Sequence, residues 1–361
     1  MASNSLEATS KQDVLGASAS VTTVSPNLSA FFNTTTSMAS PATTTNNSTT
    51  PAPQPDPREA SISIRDYIYF LPYPIPDGIP IPYTIHLPDK NELELNPLPF
   101  EPTHTLVLTS INKTFVDLRI FRPIRQGDPP LPNTGGPLER LEWAFSGTST
   151  SVATPDPYTA SSRGSFGPDP DSRAWDGSVT RASWTHWIDS RYPVGTPSSQ
   201  IPVDEALMFP LDPVRVLEHG QAKNLHTGIM QSHEEMWTDQ EIKACRPAAT
   251  AFCIVLRINL PEVKVRGVVV RLGQYCQGML MHGGVVTVER WEFVEGDKAD
   301  EGGKKEQGSW QRTVRIGDGF LPCGFTFNEE TCLMGGKIEY GQHEWVVEER
   351  VEWESPEDDD E

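Results

Sequence analysis

Histidines and carboxylates are the residues of this chain best suited to acid–base or metal chemistry, but their spacing matches no known site. His219, His226 and His233 follow one another at intervals of seven residues, and two glutamates come directly after His233. A catalytic zinc site of the HExxH type needs two histidines four residues apart on one helix, and structural zinc sites use other short spacings. We therefore interpret these histidines as a polar surface cluster and predict no metal site.

Serine-centred and glycine-rich motifs would indicate nucleophilic catalysis or phosphate binding, and neither occurs in complete form. GxSxG is absent, and the glycines of "GGPLER" and "GMLMHGG" match neither the P-loop pattern nor the dinucleotide pattern. We therefore predict a protein that is not an enzyme, with no catalytic residue and no cofactor. A hidden activity that uses Cys276 or His282 is the weakest alternative.

The five cysteines are all in the last third of the chain, and no two have CxxC spacing. An odd number without that spacing indicates reduced thiols, which are typical of the cytoplasm or the nucleus. The first residues show no basic segment followed by an apolar run, and no apolar run reaches the length of a membrane span. We expect neither secretion nor membrane insertion.

The formal net charge is −20. Nucleic-acid binding needs a basic surface that contacts phosphates, so the charge argues against a nucleic-acid partner. It also disfavours attraction to anionic membrane surfaces. An acidic balance keeps a protein soluble and can favour basic protein partners.

Aromatic side chains are the most informative candidates for binding. The nine tryptophans begin at Trp143, so they all belong to the part of the chain with strand patterns. In a β-barrel they could line a pocket for an apolar ligand, or they could simply form the core, which is the commoner case. The candidate pocket residues are Trp143, Phe145, Trp184 and Trp187 in a first domain, and Trp237, Arg271, Tyr275 and Trp291 in a second.

Apolar and polar residues alternate with a period of two along much of the chain. Clear strand patterns are "SISIRDYIYF" (61–70) and the hairpin "HTLVLTSINKTFVDLRIF" (104–121). Gly273 and Gly278, inside another strand pattern, indicate bulges or bends. No long segment has a helical period, and the best helix candidate is the short "DEALMF" (204–209). These patterns predict an all-β fold of antiparallel barrels or sandwiches.

Composition divides the chain into a disordered arm, two β-barrel domains and a tail. The arm is rich in Ser, Thr and Pro, and such a segment cannot bury enough apolar surface to fold. Ser355 precedes a run of acidic residues and is a candidate phosphorylation site. The predicted units are the disordered arm 1–58, a first domain 59–190 with a proline-rich insertion at 71–99, a linker 191–202, a second domain 203–354 and an acidic tail 355–361.

Four sequence blocks stand out when they are taken together. They are "LEWAFSGT" (141–148), "WTHWIDS" (184–190), "EEMW" (234–237) and "GVVVRLGQYCQGML" (267–280). In this order they resemble the fungal HRI-type protein family, which is named for interaction with a casein kinase 1-type kinase. The resemblance covers about residues 60–353, and it implies two consecutive lipocalin-like β-barrel domains in a protein of the cytoplasm and nucleus. It implies no established enzymatic activity, cofactor or catalytic residue.

Two functions from different classes fit these observations. The leading hypothesis is a non-enzymatic protein-interaction scaffold with protein partners, among them a casein kinase 1-type kinase. The alternative is a carrier that holds a small apolar ligand inside a lipocalin-like barrel. A carrier needs a hollow barrel of roughly 300 Å³ or more, whereas a scaffold tolerates filled barrels.

Overall fold

The computed structural model describes residues 56, 59–155, 157, 178–224, 227–245, 248–296 and 308–354. Apart from Asp56, the predicted arm 1–58 lies outside these residues. The tail 355–361, with the candidate site Ser355, lies outside them as well.

The first sheet is a ring of antiparallel strands that follow one another in chain order. The order β3-β2-β1-β9-β8-β7-β5-β4-β6 is closed by pairing of β3 with β4, so eight strands form a closed barrel and the short β6 extends along β4. The strands are β1 (Ser61–Leu71), β2 (Thr103–Thr109), β3 (Thr114–Phe121), β4 (Leu141–Ala153), β5 (Thr180–Trp184), β6 (Ile188–Asp189), β7 (Asp204–Pro210), β8 (Arg215–Lys223) and β9 (Met230–Gln240).

The second sheet has seven antiparallel strands in the order β14-β13-β12-β11-β10-β16-β15. Among the described strands, β14 and β15 form its two edges and do not pair with each other. The second domain was predicted to be a barrel, but the described strands form an open sheet. The strands are β10 (Thr250–Leu260), β11 (Val265–Leu272), β12 (Tyr275–His282), β13 (Val285–Val294), β14 (Ser309–Ile316), β15 (Lys337–Tyr340) and β16 (His343–Glu354).

Helical structure in the described residues is limited to short 3-10 turns, and none is long and apolar enough to cross a membrane. The turns are Thr84–His86, Leu138–Arg140, Ser198–Gln200, Pro261–Val263, Pro322–Phe327 and Glu329–Thr331.

The two sheets share one hydrophobic core. Outward-facing residues of the barrel, such as Leu118 on β3, pack against Val268 and Met279 of the second sheet. The amide of Gln277 crosses between the sheets and donates to the main-chain oxygens of Leu106 and Val116, at 2.9 and 3.1 Å. The outer face of the barrel is thus as apolar as a core because a second sheet covers it.

The proline-rich segment between β1 and β2 folds back over the outside of the barrel. Ile81 and Tyr83 are buried there and belong to a cluster with Phe209 and Leu217, which lie on β7 and β8. Proline cannot join the interior of a sheet because it lacks an N–H donor, which explains why the segment covers the sheet without extending it. The segment predicted as a proline-rich insertion (71–99) follows β1, which ends at Leu71, and precedes β2.

The predicted boundary between the two domains is wrong. β7 pairs with β5, and β9 pairs with β1, so residues 204–240 complete the first barrel. The predicted linker 191–202 therefore lies within the barrel domain, and the chain passes to the second sheet after Gln240. The short "DEALMF" is strand β7 and not a helix, because its residues alternate between the inside and the outside of the barrel.

Candidate functional site

The inner face of the barrel carries charged side chains on β1, β3 and β9. Asp117 and Arg119 occupy inward positions of β3, and Glu235 occupies an inward position of β9. A β-bulge between Arg65 and Tyr67 lets β1 place Arg65 inside while the following tyrosines pack outside. Eight-stranded barrels are narrow enough for side chains to fill them, so these groups meet near the axis.

These charges form one ion-paired network. Arg65 binds Glu101 through Nε at 2.7 Å and Glu235 through Nη1 at 3.0 Å. Arg119 binds Asp117 Oδ2 at 2.9 Å and reaches Glu235 Oε1 at 3.4 Å. Glu235 therefore links the two arginines. Buried charges of this kind are tolerated only when they are paired, so each member depends on the others.

Two oxygens of the network are buried without a hydrogen-bond partner. They are Asp117 Oδ1 and Glu235 Oε2. The residues are only 2% and 3% exposed. A buried oxygen of this kind normally accepts a hydrogen bond from ordered water, and leaving it unpaired costs free energy.

The network gives its two central carboxylates different proton affinities. Burial raises the pKa of Asp117 to about 6, although Arg119 opposes that shift. Burial also acts to raise the pKa of Glu235, but the charges of Arg65 and Arg119 outweigh it and lower the pKa to about 2. A pair of carboxylates with separated pKa values is typical of acid–base catalysis, but ion-pair networks produce the same pattern. Because both side chains are buried among arginines, we interpret them as structural.

Aromatic rings surround the guanidinium of Arg119. Its central carbon lies 5.0 Å from the ring centre of Trp143, 5.7 Å from that of Phe145 and 5.9 Å from that of Trp237. Trp143 and Phe145 also stack on each other with ring centres 4.1 Å apart. These three rings form an aromatic cage of the kind that can hold a ligand cation, but the guanidinium of Arg119 occupies it.

An acid–histidine pair lies beside Trp237. The indole N–H of Trp237 donates to Glu218 at 2.9 Å, and His233 Nε2 lies 3.8 Å from the other oxygen of Glu218. Burial acts to lower the pKa of His233, but Glu218 and Glu235 raise it. His219 is also buried, on the outer face beside Glu234. The prediction that these histidines form a surface cluster is therefore wrong for His219 and His233. His226 lies outside the described residues.

His186 bridges two aspartates where the chain passes from β5 to β6. Nδ1 lies 2.7 Å from Asp189, and Nε2 lies 3.0 Å from Asp204. Burial by itself acts to lower the pKa of His186, but the two hydrogen bonds raise it to about 9. Asp189 also accepts a 2.8 Å hydrogen bond from the Trp143 indole, which connects this bridge to the aromatic cage. At neutral pH the imidazole is therefore protonated and donates to both carboxylates.

The structure brings together part of the predicted first-domain set. Trp143 and Phe145 lie inside the barrel, and Trp237, predicted for the second domain, joins them from β9. Trp184, at the end of β5, is half-buried. Trp187 lies outside the barrel, against the shared core and under the guanidiniums of Arg257 and Arg266.

The three other predicted residues do not form one site in the second sheet. Arg271 is buried and pairs with Glu329 at 2.7 Å. Trp291 packs edge-on against Phe327, on the same face of the second sheet as Arg271. Tyr275 lies on the opposite face, against the core shared with the barrel. Alternation along β12 and its neighbours explains this separation.

Sequence reasoning missed the charged residues that dominate the barrel interior. Asp117 and Arg119 alternate with apolar residues. When only one face of a strand is assumed to be buried, this pattern predicts that the charged side chains face solvent. No motif distinguishes the inside of a barrel from solvent in such a strand. The clustering of "HEEMW" (233–237) was the strongest available signal, because three of its five positions point inward.

The remaining groups do not add an open reactive site. The cysteines are all unpaired, four are buried, and burial raises the pKa of Cys245 and of Cys332 to about 11. The described residues contain no group of three or more histidine, cysteine or carboxylate side chains placed to hold a metal ion. The barrel interior, by contrast, is an ion-paired core in which side chains from facing strands meet.

Comparisons with known proteins place these features in context. Residues 86–349 match the model of a protein family described as "Protein HRI1". The crystal structure of uncharacterized protein YLR301w from Saccharomyces cerevisiae is similar at 16% sequence identity and a TM-score of 0.48, over 81% of this chain and 99% of that chain. Comparison with curated proteins gives no match.

Proposed function

Because the chain belongs to the HRI1 protein family, whose model matches residues 86–349, we propose that it is a non-enzymatic protein-interaction scaffold. The observation that carries the proposal is the filled interior of the barrel. Arg119 contacts Glu235 and Trp237 on β9 as well as Trp143 on β4, so side chains from opposite walls meet inside. Partners would therefore bind to the outer surface and the loops.

The shared core supports a scaffold because it makes the two sheets one rigid unit. Arg290 donates to the main-chain oxygen of Leu118 at 2.9 Å and to Gln277 at 2.7 Å, which fixes the second sheet on the barrel. A rigid unit holds its loops in constant relative positions, which is what a platform for partners requires. The net charge of −20 favours partners with a basic surface.

The partner we propose is a casein kinase 1-type kinase, met in the cytoplasm or the nucleus. The family resemblance of the sequence motivates this choice, and the Ser/Thr-rich arm 1–58 would offer the kinase many hydroxyl groups.

Affinity capture from native lysate tests the scaffold. The full-length chain and a chain of residues 59–354 would be used as baits, with quantitative mass spectrometry of what each retains. We expect the full-length chain to enrich a casein kinase 1-type kinase at least tenfold over an unrelated acidic bait. If neither bait enriches any protein, the scaffold proposal is wrong.

The carrier remains the alternative, and a lipocalin-like description suits only the first barrel, with its eight strands in up-and-down order. The aromatic residues inside that barrel favour it, but the ion-paired groups among them oppose an apolar ligand. Native mass spectrometry of residues 59–354 purified from their own cells separates the two functions. A bound small molecule of constant mass would support the carrier.

A further inference from the structure

A cavity of about 350 Å³ lies outside the barrel, at the junction of the two sheets. It opens where the loop between β3 and β4 passes the end of β14 and the segment that follows it. Main-chain hydrogen bonds hold this loop against β14, from Arg315 to Pro132 at 2.8 Å and from Gly135 to Arg315 at 3.1 Å. Its volume is within the range of small-molecule sites, about 300–1,000 Å³.

A β-bulge places two arginines on the cavity side of β14. Trp291 pairs with Arg312, and Glu289 pairs with Arg315, with a register shift between these pairs. Residues 312 and 315 would face opposite sides of a regular strand, but the extra residue brings both side chains to one face. Bulges are often found where a strand must redirect a side chain toward a site.

The two arginines differ in how fully they are paired. Arg315 contacts Glu289 and the main-chain oxygen of Gly319. Glu289 also accepts a 2.8 Å hydrogen bond from the Trp291 indole.

Arg312 is paired through only part of its guanidinium. Its Nε donates to Asn133 Oδ1 at 2.9 Å, and its Nη2 reaches the main-chain oxygen of Asn133 at 3.5 Å. Its Nη1 lies 4.0 Å from Glu289, at the limit of an ion pair, and the side chain is 36% exposed. Nη1 is therefore the part of this cation that is available at the cavity wall.

The lining of the cavity also includes apolar and aromatic side chains. Phe320 is 63% exposed, Leu321 is buried, and Tyr340 comes from β15. An exposed phenylalanine and a partly exposed arginine in one cavity offer both a flat apolar surface and a cation. Asp318 also lines the cavity and opposes the binding of an anion there.

We propose that this cavity is a binding site for a small organic anion with an aromatic part, of the aromatic carboxylate class. The carboxylate pairs with Nη1 of the Arg312 guanidinium, while Asn133 holds Nε and Nη2 of the same group and so fixes its orientation. The ring packs on Phe320 and Tyr340. A chain with a net charge of −20 repels anions in general, so binding of an anion indicates a specific site. The proposal is independent of the scaffold function.

Benzoate is the probe, and the full-length chain is titrated by ligand-observed NMR with benzamide as the neutral isostere. We expect benzoate to bind at least tenfold more tightly than benzamide. Arg312→Gln should remove that preference and Phe320→Ala should weaken binding severalfold. Asp318→Asn should strengthen binding, since it removes the repelling charge. Arg181→Gln, an exposed substitution on β5, is the matched control and should change nothing.

Two results would overturn the proposal. One is the absence of benzoate binding at millimolar concentration in a folded wild-type chain. The other is an affinity for benzoate that neither Arg312→Gln nor Asp318→Asn changes while both variants keep the tryptophan fluorescence of the wild type.

Discussion

The carboxylate of Glu234 accepts a 2.7 Å hydrogen bond from the main-chain N–H of Tyr83, although 151 residues separate them in the sequence. The same carboxylate accepts hydrogen bonds from the N–H and the hydroxyl of Thr84, at 2.7 and 2.6 Å. Glu234 is fully buried. One side chain of β9 thus anchors the proline-rich segment on the outside of the barrel.

Glu234→Gln should loosen the proline-rich segment without unfolding the barrel. The amide keeps the shape but loses the charge, and its NH₂ group must face the N–H of either Tyr83 or Thr84, a donor against a donor. We expect a loss of about 2–4 kcal/mol in the free energy of unfolding, because hydrogen bonds to charged groups contribute about 1.5–3 kcal/mol each. Hydrogen exchange at Tyr83 and Thr84 measures the local effect. Glu205→Gln, at an exposed position of β7, is the control, and equal exchange in both variants would contradict the assigned anchor.

Arg119→Met should destabilise the barrel more at high pH than at low pH. The substitution removes the cation between Asp117 and Glu235 and leaves buried negative charge, a loss of about 3–5 kcal/mol. Since the pKa of Asp117 is raised to about 6 in the native barrel and should rise further without Arg119, protonation at pH 5 should recover part of the loss. Urea unfolding at pH 5 and pH 8 measures this difference.

Arg125→Met is the matched control for that substitution. Its side chain is 71% exposed and pairs with an exposed glutamate, so we expect a change within about 0.5 kcal/mol. An Arg119→Met loss that is the same at both pH values would show that the interior carboxylates do not carry the charge assigned to them.

His186 should make the stability fall as the pH rises above neutrality. Its pKa is raised to about 9 in the folded chain, against about 6.5 when unfolded, so its contribution is complete below pH 6.5 and is lost as the pH passes 9. The shift corresponds to at most about 3 kcal/mol. Chemical unfolding between pH 6 and pH 9.5 should show this slope in the wild type and a flatter one in His186→Gln. His282→Gln, at an exposed position, should retain the slope.

Gly147→Ala should disrupt the junction between β4 and the β5–β6 turn. A Cβ atom at this position would lie 1.8 Å from the main-chain oxygen of Thr185, so β4 and the turn would have to separate. We expect a loss of more than about 2 kcal/mol in thermal unfolding, since relieving the overlap moves backbone and not a flexible side chain. Gly284→Ala has its nearest neighbour at 3.9 Å and should be tolerated. Tolerance of both substitutions would refute the close approach.

The strands could be predicted from sequence, but their partners could not. The period of two predicts β1, β2 and β3 correctly, because each strand has one face in an apolar core. The boundary at 191–202 fails because proline and glycine mark turns within a barrel as readily as linkers between domains. What assigns β9 to the first barrel is its pairing with β1, a contact between distant residues that leaves no local signal.

Residue type indicates the aromatic side chains of the candidate site but not their grouping. Trp143, Phe145 and Trp237 have the size and strand position of interior residues and lie together, although the sequence assigns Trp237 to the second domain. Arg119 was missed because a charged residue in an alternating strand is normally assigned to the solvent side. Arg119 faces inward because the barrel is closed and because the second sheet buries the apolar outer face of the same strand.

The shared core has a consequence for synthesis on the ribosome. β10 pairs with β16, the last of the described strands, so the second sheet is incomplete until residue 354 has been made. The barrel has all its strands once Gln240 emerges, and its apolar outer face then remains uncovered while roughly 100 further residues are made. At about 5–20 residues per second, that interval lasts about 5–20 seconds. The nascent chain therefore displays, for seconds, an apolar surface that the second sheet covers in the folded chain, and such a surface is prone to aggregation.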